Sequence, residues 1–181
     1  IAIDYYKIKI NNAISQIDGR QQSIQKACED SNGTGPFCSL YVRPLPFSNR
    51  TPANFPTLVR LTTLNASSIK TWGIDAEINY DFSVGSEGKM SLRGLVGYQP
   101  ELTTILAPGI EAQIGAGTAA TQSTGGVPKL RLTGFIGYSN PSFSIDLQER
   151  WRSSLKWNPA RSLVFAIPDV PSVAYTDVTF T

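Results

Sequence analysis

The chain has 181 residues and 19.7 kDa, the length of one ordinary domain. Its 16 basic and 14 acidic side chains leave a net charge of +2, too balanced for a nucleic-acid binder. There is no histidine, which removes Ser-His-Asp and Cys-His nucleophile systems, His-ligated zinc and histidine general bases, and two cysteines cannot build a four-thiolate metal site.

Ile1 opens into Ile3-Asp4-Tyr5-Tyr6-Lys7-Ile8-Lys9-Ile10 without the basic start or small-residue cleavage site of a signal peptide. Tyr6, Ile8 and Ile10 oppose Tyr5, Lys7 and Lys9, which predicts a strand over 3–10. Residues 11–56 then read as a long loop holding one short helix. Asp18 is the candidate cap, Ile17 precedes it, and Ile24 and Cys28 follow at helical spacing with Gln21, Gln22 and Gln25 on the polar side. Such a helix folds the loop onto itself; a ligand lid is the sharper alternative.

The next strand covers about 57–82. Trp72, Ile74, Ala76, Ile78, Tyr80 and Phe82 occupy one parity, and Gly73, Asp75, Glu77, Asn79 and Asp81 the other. Three more follow at 89–98, 128–139 and 142–152. Met90, Leu92, Gly94, Val96 and Tyr98 alternate with Ser91, Arg93, Leu95 and Gly97. Leu130, Leu132, Gly134, Ile136 and Tyr138 alternate with Lys129, Arg131, Thr133, Phe135 and Gly137. Phe143, Ile145, Leu147 and Trp151 share a parity against Asp146, Gln148, Arg150 and Arg152, with Glu149 the exception on the apolar side. A last strand spans 172–181, where Ala174, Thr176, Val178 and Phe180 oppose Val173, Tyr175, Asp177 and Thr179.

The connections alternate in length: long at 11–56, short at 83–88, long at 99–127, short at 140–141, long at 153–171. Antiparallel strands joined in this way place short turns at one end and long loops at the other. No run of about 18 apolar residues forms a helical span, but spanning β-strands need only about 9–11 alternating residues. Loops segregated by length, and aromatics near strand ends (Tyr80, Phe82, Tyr98, Tyr138, Trp151), are features of outer-membrane barrels. The expectation is an antiparallel transmembrane β-barrel wall. Bacterial barrels start at about 8 strands, and an open edge in lipid leaves backbone groups unpaired. Six strands, starting and stopping within the strand pattern, are therefore expected to be a piece of a larger barrel. The alternative is a soluble, secreted all-β binding or carbohydrate-active module whose apolar faces pack together as a core.

The residues also carry a family resemblance. Asp4-Tyr5-Tyr6-Lys7-Ile8 resembles the opening of a late strand of TonB-dependent outer-membrane receptors. The likeness continues through Asn12-Ala13-Ile14, Pro36-Phe37-Cys38, Asn65-Ala66-Ser67, Thr71-Trp72-Gly73-Ile74-Asp75-Ala76-Glu77 and Asn79-Tyr80-Asp81-Phe82. It extends to Gly125-Gly126-Val127-Pro128-Lys129, Leu147-Gln148-Glu149-Arg150-Trp151 and Pro171-Ser172-Val173-Ala174-Tyr175-Thr176-Asp177. The resemblance implies about six strands of a barrel of about 22, plugged by an N-terminal globular domain. It further implies import of a scarce ligand (an iron chelate, cobalamin or an oligosaccharide) with energy passed from TonB, and residence in the bacterial outer membrane among its lipids. The whole of 1–181 would be partial barrel, with the plug, its TonB-contacting region and the final strands outside the chain. No cofactor and no catalytic residues are implied.

On that reading Asp75, Glu77, Arg93, Lys129, Arg131, Asp146 and Arg150 face the lumen and are the candidate ligand contacts. Asp75 and Glu77 also satisfy the spacing of a glycosidase pair, but any two acids on alternate strand residues do so. A hydrated wall balanced by Arg93, Lys129, Arg131, Arg150 and Arg152 is the plainer reading. Cys28 and Cys38 are expected to form a disulfide in an oxidising compartment. Gly115-Ala116-Gly117-Thr118-Ala119-Ala120 superficially matches a nucleotide fingerprint but lacks the strand–helix context, and is expected to be flexible loop. Asn32-Gly33-Thr34, Asn49-Arg50-Thr51 and Asn65-Ala66-Ser67 are chance sequons.

Overall fold

The computed structural model describes residues 1–119, 126–158 and 164–181. Ala120, Gly125 and the middle of the last long loop therefore lie outside the described residues. In chain order come β1 (Ala2–Asp18), α1 (Gln22–Asp30), a 3₁₀ turn at Pro36–Leu40, β2 (Tyr41–Val42), a second 3₁₀ turn at Pro52–Asn54 and β3 (Leu58–Val59). They are followed by β4 (Leu61–Val84), β5 (Gly88–Ile105), β6 (Gln113–Ile114), β7 (Leu130–Ser139) and β8 (Ser144–Arg152). β9 (Leu155–Lys156), β10 (Asp169–Val170) and β11 (Val173–Phe180) complete the order. The fold is all-β, largely antiparallel, with a single α-helix among the described residues.

All six expected strands form, but two are longer than the alternation predicts. β1 continues to Asp18, passing through Asn12 at φ 55°, a left-handed position that asparagine tolerates better than most residues. β5 runs past Pro100 to Ile105 although the clean alternation stops at Tyr98. The chain divides into two compact units, one of residues 1–8, 70–103 and 114–181, the other of 9–69 and 104–113.

The first unit is built on a sheet of order β1-β4-β5-β7-β8-β11, with β6 paired to β5 off this path. β1 and β11 are its edges, so the sheet is open. Register settles which residues share a face. Leu92 lies opposite Ile136, Ile136 opposite Leu147, and Leu147 opposite Val178. Val96 similarly meets Leu132, which meets Trp151 and then Ala174. One-residue alternation thus yields a single apolar face across four strands. On β4, a Cβ added to Gly94 would lie 3.1 Å from Ile78, which brings Ile78 onto that face too. No described residue buries it: Ile136 is 44% exposed, Ile78 50% and Val178 66%.

Aromatic side chains border this face in two rows. Tyr5, Trp72 and Tyr98 make a chain with centroids 6.3 and 6.1 Å apart, and β8's Trp151 lies level with Val96, one row from Tyr98. Toward the short turns lie the pair Tyr80–Phe82 and the chain Tyr138–Phe143–Phe180, with spacings of 5.5, 5.7 and 5.9 Å. The β1 pattern is corrected here. Tyr5 belongs to the apolar face with Trp72, whereas Tyr6 lies over Gly73 on the polar face: a Cβ on Gly73 would sit 2.4 Å from the Tyr6 hydroxyl. Ile1, Ile3 and Tyr5 form a second apolar parity in the same segment, so alternation alone selects neither face.

The segment Gly115–Thr118 is also corrected: it is packed and hydrogen-bonded. Gly115 N–H donates to the Leu102 carbonyl (2.7 Å), Gly117 N–H to the Val127 carbonyl (2.7 Å), and Ala116 and Thr118 are buried. Gly117, at φ 75°, gives room to the Lys129 side chain.

The second unit has an ordinary interior. Ile17, Ile24, Cys28, Phe37, Leu40, Tyr41, Leu106, Ala107 and Ile110 form its buried core. α1 supplies Ile24 and Cys28 one turn apart, as the spacing predicts. Asp18 does not cap this helix. Gln21 holds the cap position without a side-chain bond, and Asp18 instead accepts from the Arg20 backbone N–H (2.9 Å) and guanidinium (2.6 Å). Cys28 and Cys38 are joined by a disulfide. The β2–β3 ladder pairs Tyr41 with Val59, and the buried Asn54 side chain accepts from Leu45 N–H and donates to the Pro46 and Asn49 carbonyls.

Candidate functional site

The seven charged candidates come together on the polar face of the first unit. Across β5, β7, β8 and β11, Arg93, Phe135, Gln148 and Asp177 form one row. Gly97, Arg131, Arg152 and Val173 form another, nearer the long connections. A third row, toward the short turns, holds Ser91, Gly137, Asp146 and Thr179. Asp75 joins from β4, its Oδ1 3.2 Å from where a Cβ on Gly97 would lie.

Two of these carboxylate neighbourhoods are closed ion pairs. Glu77 Oε1 accepts from Arg93 Nε (2.9 Å) and Asn79 Nδ2 (2.8 Å), and the Arg93 guanidinium stands 5.8 Å from the Phe135 ring centre. Arg150 Nη2 donates to Asp177 Oδ2 at 2.7 Å. These groups are half-exposed, where a single pair contributes about 0–1 kcal/mol. Their effect is to fix directions rather than to stabilise strongly. Glu77 is committed to Arg93, so Asp75 and Glu77 are not a free acid–base couple.

The remaining candidates differ. Asp146 leans over Gly137, where a Cβ would lie 2.8 Å from its Oδ1 and 2.6 Å from Ser91 Oγ. Lys129 lies along Gly117. Arg131 makes no ion pair among the described residues and faces Arg152 directly across the β7–β8 ladder. The Tyr6 hydroxyl lies over Gly73, on the strand that carries Asp75. Sequence reading missed Tyr6 by assigning it to the other face, and passed over Asp177. Glycine 73, one position before Ile74 on β4, is the signal that an aromatic ring crosses there.

On the apolar face, Gly94 and Gly134 are direct partners and leave a depression of about 420 Å³ bordered by Ile78, Leu92 and Ile136. Glu149, in the same row as Gly134, accepts a hydrogen bond from Thr176.

In the second unit, burial pushes the Tyr41 phenol up to about 12, helped by Asp18 and Glu29, and its hydroxyl donates to the Gly19 carbonyl (2.5 Å). Hydrogen bonds from Arg20 hold the Asp18 carboxyl below its usual range. Glu29 accepts from both Arg43 (2.9 Å) and Arg50 (2.6 Å), whose guanidinium groups flank the Phe47 ring.

No family model, no characterised protein and no solved structure matches the chain.

Proposed function

We propose that the chain is part of a TonB-dependent outer-membrane receptor, which binds a scarce extracellular ligand and imports it. The observation that carries this reading is the uncovered apolar face bordered by two aromatic rows. From Trp72 to Tyr80 or Phe82, and from Trp151 to Phe143, the rows stand eight to ten residues apart. At about 3.3 Å per residue and a tilt of about 40°, that is roughly 20–25 Å, close to the apolar band of an outer-membrane barrel. In this reading the apolar face meets lipid and the charged face lines the lumen. The free edges of β1 and β11 take further strands of a barrel of about 22, since unpaired edges are not tolerated in hydrocarbon. The plug and the TonB contact belong to the rest of that receptor, and the ligand is an iron chelate, cobalamin or an oligosaccharide.

A soluble, secreted all-β module would need a second layer over the apolar side chains. That is why exposure of Ile78, Ile136 and Val178 favours the membrane alternative. The full-length receptor should sediment with outer membranes, need detergent to stay in solution, and bind the purified periplasmic domain of TonB. A protein that stays in solution without detergent sinks the proposal. Impermeant maleimide on intact cells tests orientation: cysteine at Glu111 should react, while cysteines at Ser86 or Ser142 in the short turns should not.

A further inference from the structure

We infer that Arg131 and Arg152 form an oxyanion-binding site on the polar face, one that selects a ligand carrying clustered carboxylate or phosphate groups. The inference rests on the lumen reading above and narrows its ligand class.

The two arginines are direct partners on adjacent antiparallel strands. Directly opposite Cβ atoms lie about 4.5–5.5 Å apart, and like charges there are destabilising. A pairing of this kind persists at a cost to the fold. No ion pair among the described residues relieves it. Glu77 is taken by Arg93 and Asp177 by Arg150. Asp146 lies three rows away, over Gly137. Asp75 lies beside Gly97, the β5 partner of Arg131, and Glu101 lies two residues beyond Gln99 on β5. Neither makes a salt bridge to Arg131 or Arg152 among the described residues. Among the described residues Arg152 donates to the Ser153 and Pro171 carbonyls, at 3.3 and 3.2 Å. Lys129, on the same strand face as Arg131, adds a third cation.

Gly97, the partner of Arg131 on β5, has no side chain, and the Asp75 carboxylate leans over it, its Oδ1 3.2 Å from where a Cβ would lie, so the row carries two guanidinium groups with one carboxylate at its β4 end. The Tyr6 hydroxyl lies on the same polar face, over Gly73. Two planar guanidinium forks and a phenol provide donors and no acceptor beyond Asp75 and the phenol oxygen. Guanidinium forks match carboxylate and phosphate oxygens in bidentate geometry. A neutral sugar would leave both arginine charges unpaired. A polyanion pairs them and removes the mutual repulsion, so binding and relief of strain act together.

The test is isothermal titration of the detergent-solubilised full-length receptor with citrate and, separately, with pyrophosphate. Arg131→Gln and Arg152→Gln should each weaken binding at least about tenfold, with Arg131→Lys between them and the parent. Arg20→Gln, the same charge change in the second unit, should leave it within about twofold. A citrate preference assigns carboxylates and a pyrophosphate preference assigns phosphates. Both glutamine variants should unfold no earlier than the parent, because each removes a like-charge contact, so weakened binding will not reflect misfolding. No binding of either anion, or equal weakening by Arg20→Gln, overturns the site. A protein that binds citrate but needs no detergent keeps the site and loses the receptor. One that needs detergent and ignores both anions loses the site alone.

Discussion

The two units use apolar side chains in opposite ways. In the second, Ile17 and Ile24 are fully buried among Phe37, Leu40 and Leu106, and the Asn54 side chain is buried with its bonds made. In the first, isoleucine, leucine and valine line one face of a sheet and stay uncovered, while ion pairs occupy the other. The same residue types thus serve as an interior in one unit and as a presented surface in the other. The lesson is that hydrophobic content says little until the face it occupies is known. Here strand register supplies that.

Truncation separates the two most sharply. Ile24→Ala should destabilise the second unit by about 3–4 kcal/mol, through lost transfer energy and the cavity left in a closed core. Hydrogen exchange of the α1 amides would register the loss. Ile136→Ala, on the uncovered face, leaves no cavity and should cost under about 1 kcal/mol in bilayer-reconstituted protein. Equal costs would mean that the sheet face is packed.

Charge gives the next contrast. Leu147→Arg should lower unfolding stability by about 2–4 kcal/mol if the residue meets mid-membrane lipid, while the adjacent Gln148→Arg should be near neutral. Denaturant titration in lipid measures both. The reverse order would exchange the faces.

Replacing Cys28 and Cys38 by serine together should weaken the second unit by about 2–3 kcal/mol, the chain-entropy value for a closed loop of about ten residues. The sheet should be untouched, and thermal unfolding of strand and loop probes checks the separation.

The smallest effect concerns pH. Tyr41 keeps its proton up to about 12 in the folded unit. An unfolded tyrosine ionises near 10. The protonated form is the stabilised one, so its contribution is complete below about pH 10 and is lost as pH rises toward 12, by about 2 kcal/mol. Ultraviolet titration of tyrosinate should show a late phase whose amplitude Tyr41→Phe lowers by one tyrosine. The Asp18 carboxyl runs the other way. Its folded pKa is depressed, so its contribution holds above the ordinary carboxylate range and fades as the solution is acidified through it.

Much of the sheet was legible because period two needs no tertiary information. Residues 90–98, 130–138 and 145–151 alternate, and register puts their apolar parities on one face. β1 was harder, since Ile3 and Tyr5 compete with Tyr6, Ile8 and Ile10. The Tyr5 ring against Trp72 and the Tyr6 ring over Gly73 decide between them. The core of the second unit gathers residues from 17 to 110 without a common period, and beyond the turn carrying Ile24 and Cys28 nothing local marks it. Asp18 looks like a cap by type, but Arg20 takes its carboxylate first. The charged candidates were found as a face, whereas the opposition of Arg131 and Arg152 required the register.

Glu149 and Thr176 interrupt the apolar face only two residues from Trp151 on β8, whereas β4 runs apolar from Trp72 to Phe82. In a bilayer the two sides of this wall would then differ in hydrophobic height by about one residue pair on a strand face. Mismatch of a few ångströms costs fractions of a kcal/mol per ångström and is met by local thinning or by tilt. Lipids beside β8 and β11 would be drawn down toward Glu149, while those beside β4 stay at full length. The wall would thereby impose a gradient of membrane thickness around its circumference, and with it a preferred direction for the lipids and proteins that settle next to it.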